Sequence, residues 1–233
     1  MTDDASRNLA DDSPLHGYQG DRLPPQPAVP VRPSLAVSRD VGARGGAIAR
    51  RVSSRLGWPV YDREMLEYAS QDSASWTEIL RELPPESEPW IEGRLQFLHR
   101  HQVMTAHGSF ERVARLILAL AAKGEMIFVG QGAGFVLPRE TTLHVRMTAP
   151  LPDRVAYFSQ WLRLPRGEAA EQVRVRSQRR DAFLAACFNL PSDGILYDMM
   201  LNSSALGEEL CADLIVQALR CKCAAVPDPD EGD

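Results

Sequence analysis

Ser38-Arg39-Asp40-Val41-Gly42-Ala43-Arg44-Gly45-Gly46-Ala47-Ile48 is the stretch on which the fold is decided. It continues a short apolar run, Leu35-Ala36-Val37-Ser38, and leads into a helical pattern. That pattern has Ile48, Val52 and Leu56 on one face and Arg50, Arg51 and Arg55 on the other, with Gly57 placed to end it. An apolar strand entering a glycine-bearing turn that opens a helix gathers backbone N–H groups at the helix's positive end. Such a turn suits an anion.

Outward from this unit, strand and helix signals alternate. Trp58-Pro59-Val60-Tyr61 reads as a second strand, Met126-Ile127-Phe128-Val129 as a third running into Gly130-Gln131-Gly132-Ala133-Gly134, Leu143 to Met147 as a fourth and Tyr197 to Leu201 as a fifth. Residues 63 to 123 are mostly helical, ending in a helix with Phe110, Val113, Ile117, Leu120 and Ala121 at helical spacing and Gly124 as its stop. Helical patterns fill 152 to 163, 167 to 186 and about 208 to 220. Apolar strands separated by helices predict an α/β fold, a doubly wound parallel sheet of about five strands. Ligands of such sheets bind beyond the carboxyl ends of the strands, which places the Asp40–Gly46 turn, Asp62, the Gly130–Gly134 turn and Asn202 on the functional edge.

Composition sets the limits of function. The 233 residues are 44% hydrophobic, enough for a substantial core. No apolar run approaches the roughly 20 residues of a membrane span, and no secretory signal opens the chain, so the expectation is a cytoplasmic protein without membrane contact. Residues 1–33 carry a net −2 and residues 224–233 a net −4, which leaves 34–223 at +1 within a chain total of −5. The middle therefore has no global field for gripping nucleic acid, and none is expected as a partner. The proline-rich first 33 residues and the acidic last ten read as disordered tails flanking one domain over 34–223. The first tail also offers a possible ligand for a proline-binding protein partner. Cys187, Cys211, Cys221 and Cys223 lack zinc spacing, and no metal site is expected from side chains alone. His99, His101 and His107 read as helix-face residues, and Trp76, Trp90 and Trp161 as packing residues.

The turn departs from the phosphate-loop motif G-x-x-x-x-G-K-[ST], because Arg39 stands at the first Gly and Gly45 at the Lys. Even so, Val37-Ser38-Arg39-Asp40-Val41-Gly42, Leu56-Gly57-Trp58-Pro59 and Val60-Tyr61-Asp62-Arg63-Glu64-Met65-Leu66 together resemble the cytidylate kinase-like family, a branch of the nucleoside-monophosphate kinases. The resemblance continues through Ala122-Lys123-Gly124, Val129-Gly130-Gln131-Gly132-Ala133, Pro150-Leu151-Pro152-Asp153-Arg154 and Leu201-Asn202-Ser203-Ser204-Ala205-Leu206-Gly207, over roughly 34 to 222.

It implies a P-loop NTPase fold of the nucleoside-monophosphate kinase type, with a helical insert and a mobile lid over about 164 to 192. It further implies an ATP and Mg²⁺ requirement, with the donor over Arg39, Gly42, Ala43, Gly45, Gly46 and Ala47. The acceptor, a CMP-like nucleotide, would lie near Asp62, Arg63 and Gln131. The lid carries Arg174, Arg176, Arg179 and Arg180. Phosphoryl transfer depends on neutralising equatorial oxygens, so Arg176 and Arg180, with Arg44 as a substitute for the missing lysine, are the catalytic candidates. A solvated helix face is the alternative reading of the lid arginines.

The chain also departs from its relatives. Arg44 stands where they often have Gly, Gly46 where they often have Arg, Gln131 in place of an Arg, and Ser177 at a position often acidic. Three readings follow: a nucleoside-monophosphate kinase, a catalytically inactive relative that binds nucleotide or protein partners, and a scaffold acting through its proline-rich tail.

Overall fold

The computed structural model describes residues 32–105, 108–191 and 196–224. The two expected tails, and with them the possible proline-rich ligand, lie outside the described residues except at their inner edges. His107 lies outside them too.

Five strands form one sheet in the order β2-β3-β1-β4-β5. These are β1 (Ser34–Arg39), β2 (Val60–Asp62), β3 (Ile127–Val129), β4 (Thr142–Thr148) and β5 (Met199–Asn202). Every pairing is parallel, and Val37 in the central strand stands beside Val129 on one side and Val145 on the other. The strands read as continuous apolar runs because both faces are covered.

One face packs against α1 (Gly45–Leu56) and α9 (Ser203–Ala224): Leu35, Val37, Ile127, Val129, Leu143, Val145 and Met147 meet Ile48, Ala49, Val52, Ile215 and Leu219. Each fully buried aliphatic side chain there contributes roughly 1.5–3 kcal/mol. The opposite face, with Ala36 and Phe128, is covered by the expected helical insert and the short helix that follows β3. The insert comprises α2 (Arg63–Gln71), α3 (Ser73–Arg81), α4 (Ser87–Arg100) and α5 (Gly108–Lys123). The short helix, α6 (Ala133–Val136), arises within the glycine-rich turn, where the sequence reading expected a turn alone.

α7 (Leu151–Leu162) and α8 (Arg166–Cys187) form a hairpin that occupies the lid segment. Its apolar contacts are largely its own: Val155 and Phe158 pack on Ala169 and Val173, with Val41 of the turn after β1 at the margin. Helix boundaries follow local chemistry. The Gly57 N–H closes α1 on the Ser53 carbonyl at 2.8 Å. α9 begins earlier than the expected Glu208, because Asn202 Oδ1 accepts from the N–H groups of Ser204 and Ala205 and caps a first turn. Gly207 then interrupts it (φ 75°, ψ 170°). No helix among the described residues is long and apolar enough to cross a membrane.

Candidate functional site

The sheet order brings the ends of β1, β3 and β4 together, and with them two turns. The first follows β1. The Ala43 N–H donates to the Asp40 carbonyl at 3.0 Å, and Gly42 takes φ 86° with its Cα pressed on Arg154. A Cβ at Gly42 would lie 2.6 Å from the Arg154 carbonyl oxygen. Arg44, at the cap of α1, is held left-handed (φ 57°, ψ 14°), the conformation a glycine adopts without strain. Its side chain makes no capping bond to the helix. The first N–H groups of α1 have no intrahelical partner, and donors so placed can take an anion. The Arg44 guanidinium lies over the Tyr157 ring on α7, 5.1 Å from its centroid.

Asp40 is the hub of the site. Its carboxylate accepts from Arg146 at 2.7 Å, Arg180 at 2.9 Å and Thr148 at 2.9 Å. Arg180 also donates to the Arg39 carbonyl at 2.8 Å and pairs with Asp181. Burial pushes the Asp40 carboxyl upward, but the bonds from Arg180 and Thr148 and the charge of Arg146 more than offset this and hold it below the usual carboxylate range. Burial likewise opposes the Arg180 charge, and the two carboxylates restore and raise it. Helix α8 is thereby tied to the turn after β1.

Behind this hub, Ser38 Oγ and His144 Nε2 lie 2.9 Å apart, and the ring of His144 packs edge-on to Phe135 and Tyr197. Burial pushes the imidazole down to about 4, so it is neutral near pH 7. Tyr197 in turn accepts from Arg146 at 2.8 Å, which links the aromatic layer to the Asp40 cage.

The second turn follows β3. Gly130, Gln131 and Gly132 are all left-handed, which reverses the chain sharply enough to bury the Gln131 side chain. Gln131 Nε2 donates to Glu67 at 2.8 Å, and Glu67 also accepts from Arg63 at 2.8 Å. These residues line a cleft of about 280 Å³ whose walls include Phe110 and Phe183, with Arg112 at its rim. Cys187 also lines it, its thiol pushed up by burial and so kept protonated.

Between the two turns lies Arg39. A Cβ at Gly45 would lie 2.8 Å from both Cβ and Cδ of Arg39, and one at Gly130 would lie 2.5 Å from its Nη1. Its stem thus fills the place a side chain at position 45 would take, and its guanidinium abuts the second turn. Burial pushes its pKa down, Asp62 acts against that, and Arg180 and Arg63 add to it.

Of the residues singled out from sequence, Arg39, Gly42, Ala43, Gly45, Gly46, Ala47 and Arg180 converge on the first turn, and Arg63 and Gln131 on the cleft. Asp62 caps α2 by accepting from the Met65 N–H at 3.1 Å. Arg176, one turn before Arg180, lies over the Phe158 ring at 5.2 Å rather than beside Asp40. Arg174 pairs with Glu171 on the solvent side. Sequence reading missed Arg146, Thr148, Arg154, Glu67 and Arg112. Arg146 and Thr148 carried a signal: they alternate with apolar residues at the carboxyl end of β4, where a doubly covered strand has no need of them.

The residues at the first turn do not build a magnesium site. Gly46 brings no hydroxyl where the motif has Ser or Thr, and the nearest carboxylate, Asp40, is saturated by two guanidinium groups and a hydroxyl. Among the described residues no group of three His, Cys, Asp or Glu side chains converges elsewhere.

A solved structure shares this architecture, and others superpose more loosely. An uncharacterized protein from Eubacterium ventriosum ATCC 27560 superposes with a TM-score of 0.64 at 13% identity, covering 82% of this chain and 99% of that one. A shikimate kinase from Acinetobacter baumannii in complex with shikimate gives 0.46 at 13% identity, over 82% and 94%. TT1252 from Thermus thermophilus gives 0.44 at 19%, over 84% and 99%. At such identities the likeness is one of fold, an all-parallel five-stranded sheet with helices on both faces. No protein of curated function matches the chain in sequence. The sequence model of the cytidylate kinase-like family matches residues 34–205, nearly the whole of the sheet and its helices, and the protein belongs to that family.

Proposed function

We propose that this protein transfers a phosphoryl group from ATP to a nucleoside monophosphate of the cytidylate type. The observation that carries the reading is the adjacency of two built turns at one sheet edge. The first, Gly42 to Ala47, presents helix N–H groups to the donor phosphates. The second, Gly130 to Gly132, opens on a cleft whose Arg63 and Arg112 suit an acceptor phosphate and whose Glu67 and Gln131 suit a base edge. Arg180 closes over the first turn from the lid and supplies cationic charge near the transferring group. Magnesium belongs to the donor nucleotide in this reading, since the chain offers it no cage, and no step is assigned to it.

One observation favours a second reading, a nucleotide-binding relative without turnover. Position 45 has no lysine, Arg44 is turned toward Tyr157, and Arg180 is already neutralised by Asp40. Calorimetric titration with ATP and with CMP, each with Mg²⁺, followed by a coupled turnover assay, separates the two. Binding of both with turnover supports the kinase. ATP binding without turnover supports the second reading, and binding of neither rejects both.

A further inference from the structure

The phosphate turn lacks the lysine that would ordinarily reach the donor's terminal phosphates, yet the place for a cation is not open. The stem of Arg39 runs along Gly45, where any side chain at that position would begin, and its Nη1 ends against Gly130 at the head of the acceptor turn. Because β1 lies next to β3, the two turns are neighbours, and Arg39 reaches across the seam from one to the other. The neighbouring charges are otherwise matched: Arg146 and Arg180 with Asp40, and Arg63 with Glu67. Arg39 makes no ion pair and no side-chain hydrogen bond among the described residues, and Asp62 is the only acid whose field acts on it appreciably. A partly buried guanidinium with two further arginines near it and no bonded counter-charge is completed by an anion.

We propose that Arg39 is the transposed phosphate-loop cation. It reaches from the end of β1 to the seam, in place of a lysine from the start of α1, and bridges the donor's γ-phosphate and the acceptor's phosphate. The proposal rests on the kinase reading above. In the step, an oxygen of the acceptor's dianionic phosphate forms a bond to the γ-phosphorus, and the bond from that phosphorus to the β–γ bridging oxygen breaks. The electron pair leaves on the β-phosphate of ADP, and no proton need move. Arg39 donates N–H groups to equatorial oxygens whose charge is redistributed as this occurs, and Gly45 is glycine because the stem of Arg39 needs its space.

The test compares four variants of the full chain with the wild type: Arg39→Ala, Arg39→Lys, Gly45→Lys, and the exchange Arg39→Ala with Gly45→Lys. Melting temperature, ATP affinity by calorimetry and turnover with CMP are read for each. Arg39→Ala is expected to lower kcat by about 10²–10³, with the melting temperature retained. Arg39→Lys should keep part of the activity, and Gly45→Lys alone should fail because its Cβ meets the Arg39 stem. The exchange should recover about tenfold or more over Arg39→Ala, by restoring the cation from the other side of the same volume. Turnover by Arg39→Ala within about threefold of wild type overturns the inference while leaving the kinase intact. So does an exchange variant and an Arg39→Lys variant both as inactive as Arg39→Ala, which would show a role of shape rather than charge. A wild type that binds neither nucleotide overturns the kinase reading, and this inference with it.

Discussion

Asp40 and Arg180 stand 140 residues apart in the chain and meet at 2.9 Å, so that the turn after the first strand and the second arm of the lid hairpin are fastened by one ion pair. The hairpin's apolar contacts reach the turn at Val41, Arg154 of α7 donates to the Val41 carbonyl at 3.3 Å, and Arg180 is the residue that ties α8 to the turn. Arg180→Ala should therefore leave the sheet intact, since Arg146 and Thr148 still satisfy Asp40, but free α8. The expected result is faster amide hydrogen exchange across 166–187 and a fall of about tenfold to a hundredfold in kcat/KM. Unchanged exchange in α8 would show that the hairpin is held by other means.

His144 gives the fold a definite acid limit. Its folded pKa, about 4, lies below the ordinary value of 6.5, so between these values the unfolded chain binds the extra proton. Stability is then fully present above about pH 6.5 and lost as pH falls toward 4, by an amount on the order of 3 kcal/mol. A His144→Gln variant should lose most of that slope in urea unfolding between pH 4 and 6.5. An equal slope in both proteins would assign the acid sensitivity to other groups.

Two glycines of the same turn should respond in opposite ways to alanine. Gly42→Ala places a methyl 2.6 Å from the Arg154 carbonyl at a φ of 86°, and should cost about 2 kcal/mol or more. Gly46→Ala lies in the first turn of α1 with only Arg50 Nη1 near, at 3.7 Å, and should stabilise by up to about 1 kcal/mol. Thermal melting of the pair checks the sign of each, and a drop for both would mean that the turn tolerates no Cβ at either position.

Glu67 holds the Gln131 amide and the Arg63 guanidinium in one arrangement at the cleft. Removing it in Glu67→Ala releases both and should raise the acceptor KM about tenfold while the ATP KM stays near its original value. A rise in the ATP KM instead would move the acceptor away from this cleft.

How much of this was legible in the sequence differs by the distance over which each feature is determined. The strand at Leu35–Val37, the stop of α1 at Gly57 and the face of α5 from Phe110 to Ala121 depend on neighbours within a few residues, and all are where the pattern put them. The parallel sheet of about five strands followed from the alternation of apolar strands and helices, but the order β2-β3-β1-β4-β5 did not, because alternation alone leaves open which strands are neighbours. α6 was hidden because a four-residue helix inside a glycine-rich turn has too little length to show a period. The cage around Asp40 was hidden because its members come from β1, β4 and α8, and no local pattern ties 40 to 146, 148 and 180. Arg44 and Arg39 show the same limit more sharply. Both lie in the turn and both are cations, and only the packing of Tyr157 and Gly45 sends one toward the lid and leaves the other at the seam.

The contact between Arg39 and Gly45 also constrains how such a turn can change over generations. The two positions occupy one volume, so a lysine cannot arise at 45 while the arginine stands, nor can the arginine be removed first without leaving the turn with neither cation. Single substitutions in either order pass through an impaired intermediate. Descendants of this loop are therefore expected to keep the pair together or to exchange both members at once, and the residue at one position should forecast the residue at the other.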